Sequence, residues 1–194
     1  MLKLELPIDE KLIRSLNIGD QVLITGTIVT ARDAAHKLMI EEKPDFVRND
    51  LKNNMIYHCG PIVRKVKDGY EMVACGPTTS IREEPYEADV IDNYKVRGVI
   101  GKGGMGPKTL AGLKKTGAVY IHAVGGAAVS LSKCVEKIEK VYLLEKLGVP
   151  EAFWVCKVKD FPGIVTMDSK GRSLHDKVEK ESGEKLRELL DAGC

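Results

Sequence analysis

The stretch Val99-Ile-Gly-Lys-Gly-Gly-Met105 decides how the rest of this chain is read. A run of β-formers delivers a lysine held between glycines, and Gly106-Pro107 then opens a helix over Lys108–Lys115. Glycine lets the backbone approach a ligand closely and adopt positive φ without a Cβ clash. Backbone N–H groups at the start of the following helix favour an anion, and Lys102 adds a full charge. Such a loop suits either a phosphate of single-stranded nucleic acid or the carboxylate of a small metabolite.

On the N-terminal side, Leu2–Leu6 reads as a short strand and Asp9–Leu16 as helical turns with Asp9 as N-cap. Asp20–Thr30 alternates β-branched and small residues and reads as a strand; Ala31–Glu42 changes to helical spacing until Pro44 ends it. Asn49–Asn54 is polar and loop-like. Ile62–Lys67 and Tyr70–Cys75 form a hairpin about Asp68-Gly69, followed by turn chemistry over Gly76–Ser80 and a helix over Pro85–Asn93. Val96–Ile100 enters the lysine loop. Beyond it, Ala118–Val124 is an apolar strand ending in Gly125-Gly-Ala-Ala128. Val129–Lys140 has helical spacing but runs into Val141-Tyr-Leu-Leu, which fits a strand equally well. Ala152–Val158 and Ile164–Asp168 read as two short strands around Asp160-Phe-Pro-Gly163, and Leu174–Leu190 as an amphipathic helix. The pattern predicts one compact α/β domain over residues 1–194.

Composition narrows the function. With 43% hydrophobic and 30% charged residues the chain has the make-up of a globular protein, and a net charge of +2 weighs against a dedicated nucleic-acid binder. No apolar run is long enough to span a bilayer, and the N-terminus lacks the apolar core of a signal peptide, so the expected location is cytoplasmic. Five cysteines (Cys59, Cys75, Cys134, Cys156, Cys194) with no C-x-x-C spacing argue against both a disulfide framework and a self-contained metal or iron–sulfur site.

Three segments share one pattern, in which a β-run ends and small or polar residues then carry a cation: Thr30–His36 with Arg32, Gly76–Arg82 with Arg82, and Ile100–Gly104 with Lys102. Ligand groups gather at strand ends in open α/β sheets, and two arginines with a lysine suit a ligand with two carboxylates. Taken singly, each cation is more often a solvated or salt-bridged surface residue than a ligand contact, and Thr78-Thr79-Ser80 more often a turn or cap. His36 lies four residues after Arg32 on one helix face, as its support or as an ordinary buried histidine. His58, His122 and His175 show no ligand spacing.

The letters Ile100-Gly-Lys-Gly-Gly104 before a basic helix resemble the GXXG loop of KH domains, which clamps single-stranded RNA. Four ordered motifs carry a broader resemblance: Thr-Ala-Arg-Asp-Ala-Ala-His (30–36), Gly-Pro-Thr-Thr-Ser-x-Arg (76–82), Ile-Gly-Lys-Gly-Gly-Met (100–105) and His-Ala-Val-Gly-Gly-Ala-Ala (122–128). Together with Asp160-Phe-Pro-Gly-Ile-Val165, they are similar to the β subunit, or C-terminal half, of class I fumarate hydratases and the related L(+)-tartrate dehydratases.

That resemblance implies a swivelling β/β/α domain and a hydro-lyase that adds water reversibly across a dicarboxylate double bond. Fumarate to (S)-malate is the type reaction; tartrate or a methylated fumarate is the alternative. It implies a [4Fe–4S] cluster held by three cysteines of an α subunit, with one iron acting as Lewis acid. This chain would carry no metal ligand, be inactive alone, and join an α partner in an α2β2 assembly with β–β contacts, binding neither nucleic acid nor membrane. By position, Arg32, Arg82 and Lys102 would bind the substrate carboxylates, and Thr78 would transfer the proton at carbon. Asp33 and His36 would orient Arg32, and Thr79, Gly101 and Gly103 would support the loops.

Overall fold

The computed structural model describes residues 1–191. Nine strands and eight helices follow in the order β1 (Leu2–Glu5), α1 (Glu10–Ser15), β2 (Gln21–Ala31), α2 (Asp33–Glu41), α3 (Arg48–Leu51), β3 (Met55–His58), β4 (Ile62–Val66), β5 (Gly69–Ala74), α4 (Glu87–Tyr94), β6 (Gly98–Gly101), α5 (Pro107–Thr116), β7 (Val119–His122), α6 (Ala128–Ser132), β8 (Val135–Tyr142), α7 (Leu144–Leu147), β9 (Phe153–Met167) and α8 (Leu174–Asp191). A 3-10 turn, Ser80–Glu83, precedes α4.

The main sheet has the order β1-β2-β3-β6-β7-β9-β8, and β2 also pairs with β9, so β2, β3, β6, β7 and β9 close on themselves. The β1–β2, β2–β3, β3–β6 and β6–β7 pairs are parallel; β9 runs antiparallel to β2, β7 and β8. The result is a parallel layer backed by an antiparallel one, with helices on the outer parallel face.

The two-residue side-chain period sorts each strand between two cores. Met55 and Tyr57 of β3 and Ile100 of β6 point between the strand layers, where they meet Trp154, Cys156 and Phe161 of β9. The intervening Ile56 and Val99 point the other way, onto Leu38 and Met39 of α2, Ile91 and Tyr94 of α4 and Leu113 of α5. Each such fully buried side chain stabilises the fold by about 1.5–3 kcal/mol. Asp9 caps α1 through a bond from the Lys11 N–H, as its sequence position predicts.

The structure differs from the sequence reading at four elements, the first being α3, a short helix that takes up the start of the polar stretch Asn49–Asn54 read as loop. β3 falls in a stretch assigned no element; all four of its residues are buried, so alternation, the usual strand signal, is absent. β8 carries Val135, Ile138 and Val141 at a three-residue spacing that mimics a helix. Two register shifts against β9 bring these three opposite Val158, Cys156 and Trp154, so bulges convert a period of three into one half-buried face. The segments around Asp160-Phe-Pro-Gly163 form one strand rather than two. Lys159 and Asp160 bulge opposite Thr25, and pairing resumes at Phe161↔Ile24.

Candidate active site

The C-terminal ends of the parallel strands β2, β3, β6 and β7 lie side by side, and the singled-out motifs follow them directly. Arg32 follows β2, the Cys59–Gly60 turn follows β3, Lys102 follows β6 and Ala123–Gly126 follows β7. The C-terminal ends of parallel strands are where α/β folds, open or closed, gather ligand groups.

Thr78 reaches the same edge although its own segment comes from the β4–β5 hairpin. The Tyr57 hydroxyl donates to the Cys75 carbonyl (2.6 Å), Cys59 bridges Pro77, and the Thr78 N–H donates to the His58 carbonyl (2.7 Å). The lysine loop then locks onto it: Lys102 N–H donates to the Thr78 carbonyl (3.3 Å) and Ser80 N–H to the Lys102 carbonyl (3.0 Å). Thr79 pairs in parallel with Lys102 and is itself exposed. The Thr78 Oγ1 is buried and has no hydrogen-bond partner, a costly state for a hydroxyl away from water. Among the described residues, Lys102 Nζ makes no ion pair.

The two arginines are each set against a carboxylate. Arg82, its side chain 57% exposed, bonds Asp33 at the start of α2. Arg32 lies against Gly60, where a Cβ would stand 2.7 Å from its Nη1, and its Nε is 3.4 Å from Glu151 Oε1. Glu151 also accepts the Ala34 N–H (3.0 Å). Asp33 therefore orients Arg82, not Arg32 as expected from the sequence, because the first turn of α2 carries it toward the 3-10 turn. Arg32 takes its carboxylate from Glu151, which is 119 positions away in sequence by the residue numbers.

His36 likewise does not touch the Arg32 guanidinium. Its Nδ1 stands 2.9 Å from the Arg32 carbonyl and its Nε2 lies 3.0 Å, off the N–H axis, from Glu87 Oε2. Glu87 Oε2 also contacts His58 Nε2 at 2.8 Å, and His58 Nδ1 stands 2.9 Å from Ser80 Oγ, which accepts the Tyr120 hydroxyl at 2.9 Å. His36, His58, Ser80, Glu87 and Tyr120 are all fully buried. Burial alone would raise the Glu87 carboxyl, but the two imidazoles outweigh it and hold it at about 2. Burial would lower both histidines; at His36 the Glu87 charge wins and raises it, whereas at His58 burial wins and lowers it. Glu83, buried beside Asp33, is pushed up to about 8 by burial, and neither carboxyl oxygen has a partner.

His36, His58 and Glu87 place three ligand atoms within 4.8 Å of one another. The two contacts to Glu87 Oε2, at 2.8 and 3.0 Å, are hydrogen-bond lengths. Ligand atoms about 2.0–2.1 Å from a tetrahedral zinc stand farther apart, at roughly 3.3 Å. The set is a carboxylate hydrogen-bonded by His58 and in ion-pair contact with His36.

Gly101 is the position that makes room for it. A Cβ there would run into Ser80 Oγ and stand 3.0 Å from the Tyr120 hydroxyl and 3.3 Å from His58 Nδ1. Gly103 and Gly104 turn the loop away with φ of +82° and +77°, a region that favours glycine. The start of α5 is not free for a ligand. Glu84 accepts the N–H groups of Gly106 (2.8 Å), Lys108 (2.9 Å) and Thr109 (3.2 Å), together with the Thr109 hydroxyl (2.6 Å). The anion that the sequence places at this helix start is the chain's own carboxylate.

His58, Ser80, Glu83, Glu87, Tyr120 and Glu151 were not legible as site residues. His58 and Glu87 carry no spacing signal, and only tertiary packing joins them. The described cysteines do not suit a metal cluster. Cys59, Cys75 and Cys156 are buried and Cys134 is half-buried; burial pushes the Cys75 thiol up to about 12 and raises the other three. A cluster ligand must be thiolate, so these side chains do not fit one. Cys194 lies outside the described residues. No described helix is long and apolar enough to cross a membrane.

Three cations, Arg32, Arg82 and Lys102, thus follow strand ends together with the buried, unpartnered Oγ1 of Thr78, and the chain is similar to known proteins over nearly its whole length. The family model described as Fumarase C-terminus matches residues 1–178. The chain is 50% identical over 192 residues to a putative fumarate hydratase class I of Geobacillus stearothermophilus, covering 98% of this chain but 37% of that protein. It is 42% identical over 189 residues to the L(+)-tartrate dehydratase subunit beta of Escherichia coli, covering 97% of this chain and 93% of that subunit. A putative subunit of the same kind from Methanocaldococcus jannaschii is also 42% identical, over 187 residues. The chain belongs to the Fumarase C-terminus family, as a β-type chain of the class I fumarate hydratase and tartrate dehydratase group. It spans just over a third of the Geobacillus protein and nearly all of the tartrate dehydratase subunits.

Proposed function

We propose that residues 1–194 act as one domain that supplies the carboxylate-binding and proton-transfer side of a dicarboxylate hydro-lyase, with fumarate and (S)-malate as the reacting pair. The observation that carries this reading is the Thr78 Oγ1, buried and unpartnered, on a segment hydrogen-bonded to the Lys102 loop. The 50% identity to a putative fumarate hydratase supports the choice of substrate.

Arg32, Arg82 and Lys102 bind the two carboxylates. The Arg82 fork, bonded to Asp33, and the Arg32 fork, in ion-pair contact with Glu151 but with its Nε lacking a hydrogen bond, fix orientation, and Lys102 adds a point charge. Thr78 Oγ1 handles the proton at the substrate carbon opposite the one that gains or loses the hydroxyl. A threonine hydroxyl is a weak base, and the Lys102 charge, on a loop bonded to the Thr78 segment, would reduce the cost of its alkoxide. The described thiols do not fit a cluster, so the group that activates the substrate's own hydroxyl is assigned to a partner. In this reading a [4Fe–4S] cluster belongs to an α partner, with which the chain assembles as α2β2 through β–β contacts, and closure of this swivelling domain over the partner excludes water.

Mixing the chain with a cluster-loaded α partner tests the reading. Fumarate, methylfumarate and L(+)-tartrate are offered in parallel; fumarate is expected to give the highest kcat/KM, with neither chain active alone. Fastest turnover of tartrate would assign the chain to the tartrate enzymes, and no turnover of any of the three would overturn the reading.

A further inference from the structure

His58 grips the Thr78–Ser80 segment at both ends. Its main-chain carbonyl takes the Thr78 N–H at 2.7 Å, and its imidazole Nδ1 meets the Ser80 hydroxyl at 2.9 Å. Lys102 is threaded between the two, bonded to the Thr78 carbonyl and to the Ser80 N–H. The backbone positions of the proposed proton-transfer residue and of a carboxylate-binding cation are thus both fixed by one buried histidine.

The direction of every hydrogen bond in this chain follows from chemistry. Glu87 is ionised and only accepts, so His58 Nε2 carries the proton and donates to it. His58 is neutral, its Nδ1 is therefore a lone pair, and the Ser80 hydroxyl must donate to it. Tyr120 in turn donates to Ser80 Oγ. His36 faces acceptors at both nitrogens, the Arg32 carbonyl and Glu87, which makes it the imidazolium that balances Glu87. We propose that Tyr120, Ser80, His58, Glu87 and His36 form a buried network of positioning residues, which holds Thr78, Lys102 and the Arg32 backbone in register for the reaction. Donation runs from Tyr120 through Ser80 and His58 to Glu87, while the His36 imidazolium pairs with the same carboxylate. None of the five meets the substrate in this account. Gly101 leaves the space in which the chain is built.

This inference rests on the hydro-lyase reading, and two measurements separate their failures. The first uses the chain alone. Ser80→Ala removes the central hydroxyl, and hydrogen exchange at the amides of Thr78, Ser80 and Lys102 is expected to rise at least tenfold, with the β2 and β9 amides unchanged. Glu87→Gln keeps the size but puts an amide donor against His58; nitrogen NMR should then show the His58 proton moved from Nε2 to Nδ1. Unchanged exchange, or an unmoved proton, would overturn the chain whatever the activity. The second uses the reconstituted pair, where both variants are expected to lower kcat at least tenfold with KM within threefold of wild type. A merely structural role predicts a lower melting temperature with unchanged kcat per folded molecule, and that result would overturn the positioning role. A wild-type pair inactive on every dicarboxylate, with the exchange effect present, would overturn the hydro-lyase reading and with it the claim that the chain serves that reaction.

Discussion

Lys102 donates its backbone N–H to the carbonyl of Thr78 at 3.3 Å, so the free ammonium of the glycine loop and the unpartnered hydroxyl of the threonine loop are mounted on one two-strand ladder. Movement of either loop is movement of both. The cations and the hydroxyl should therefore behave as a unit, with losses at one partly shared by the other.

Lys102→Met tests the cation alone. It keeps the apolar stem, and since Lys102 Nζ makes no ion pair among the described residues, melting temperature should change little. A hydrogen bond to a charged group contributes about 1.5–3 kcal/mol, so kcat/KM of the reconstituted pair should fall roughly 10- to 150-fold. A fall below threefold would remove Lys102 from substrate binding.

Asp33 and Arg82 make a different prediction from Arg82 itself. Their pair is largely exposed, and exposed pairs are worth about 0.2–1 kcal/mol. Asp33→Asn should therefore raise KM only a few-fold, whereas Arg82→Ala, which deletes a substrate contact, should cost at least tenfold in kcat/KM. Equal losses in the two variants would mean that the pair is structural and that Arg82 does not touch substrate.

Gly101→Ala should destabilise the fold even though it adds one methyl group. The new carbon would overlap Ser80 Oγ and crowd Tyr120 and His58, all three of them buried. Overpacking of this kind costs about 1–3 kcal/mol. A melting temperature within 1 °C or so of wild type, roughly the effect of a few tenths of a kcal/mol, would show that the network yields easily.

The buried acids and histidines predict how stability varies with pH. Glu83 ionises near 4.5 when unfolded but near 8 in the fold, so between those values the unfolded state loses its proton first and stability falls as pH rises. The raised His36 contributes stability that is complete below 6.5 and is lost above its folded value. The lowered His58 acts oppositely, losing stability as pH falls below 6.5. Glu87 contributes stability above 4.5 that is lost as pH falls toward about 2. Denaturant melts at pH 6, 7 and 8 should show declining stability, and Glu83→Gln should flatten the decline. An unchanged slope in that variant would place Glu83 in a wetter setting than the fold indicates.

The positions of Arg32, Thr78, Arg82 and Lys102 at one sheet edge were legible because each follows a β-run and carries small residues that let a loop turn. β3 and β8 were not legible. One is buried on both faces and shows no alternation, and the other hides its alternation behind two bulges. The partners of the two arginines were misread for a related reason. Sequence proximity suggested that Asp33 and His36 serve Arg32, yet a helix start projects Asp33 across to the 3-10 turn, and Glu151 arrives from the loop before β9. The His58–Glu87 network left no trace in spacing at all, since its members come from β3, the 3-10 turn, α2, α4 and β7.

Thr78→Ala in the reconstituted pair tests the central claim most directly. Positioned proton transfer contributes about 10²–10⁴-fold. The account predicts that kcat for fumarate hydration falls at least 100-fold while KM stays within threefold and the assembly forms as in wild type, with Thr78→Ser retaining far more activity than Thr78→Ala. A correctly assembled Thr78→Ala enzyme with kcat within threefold of wild type would contradict it.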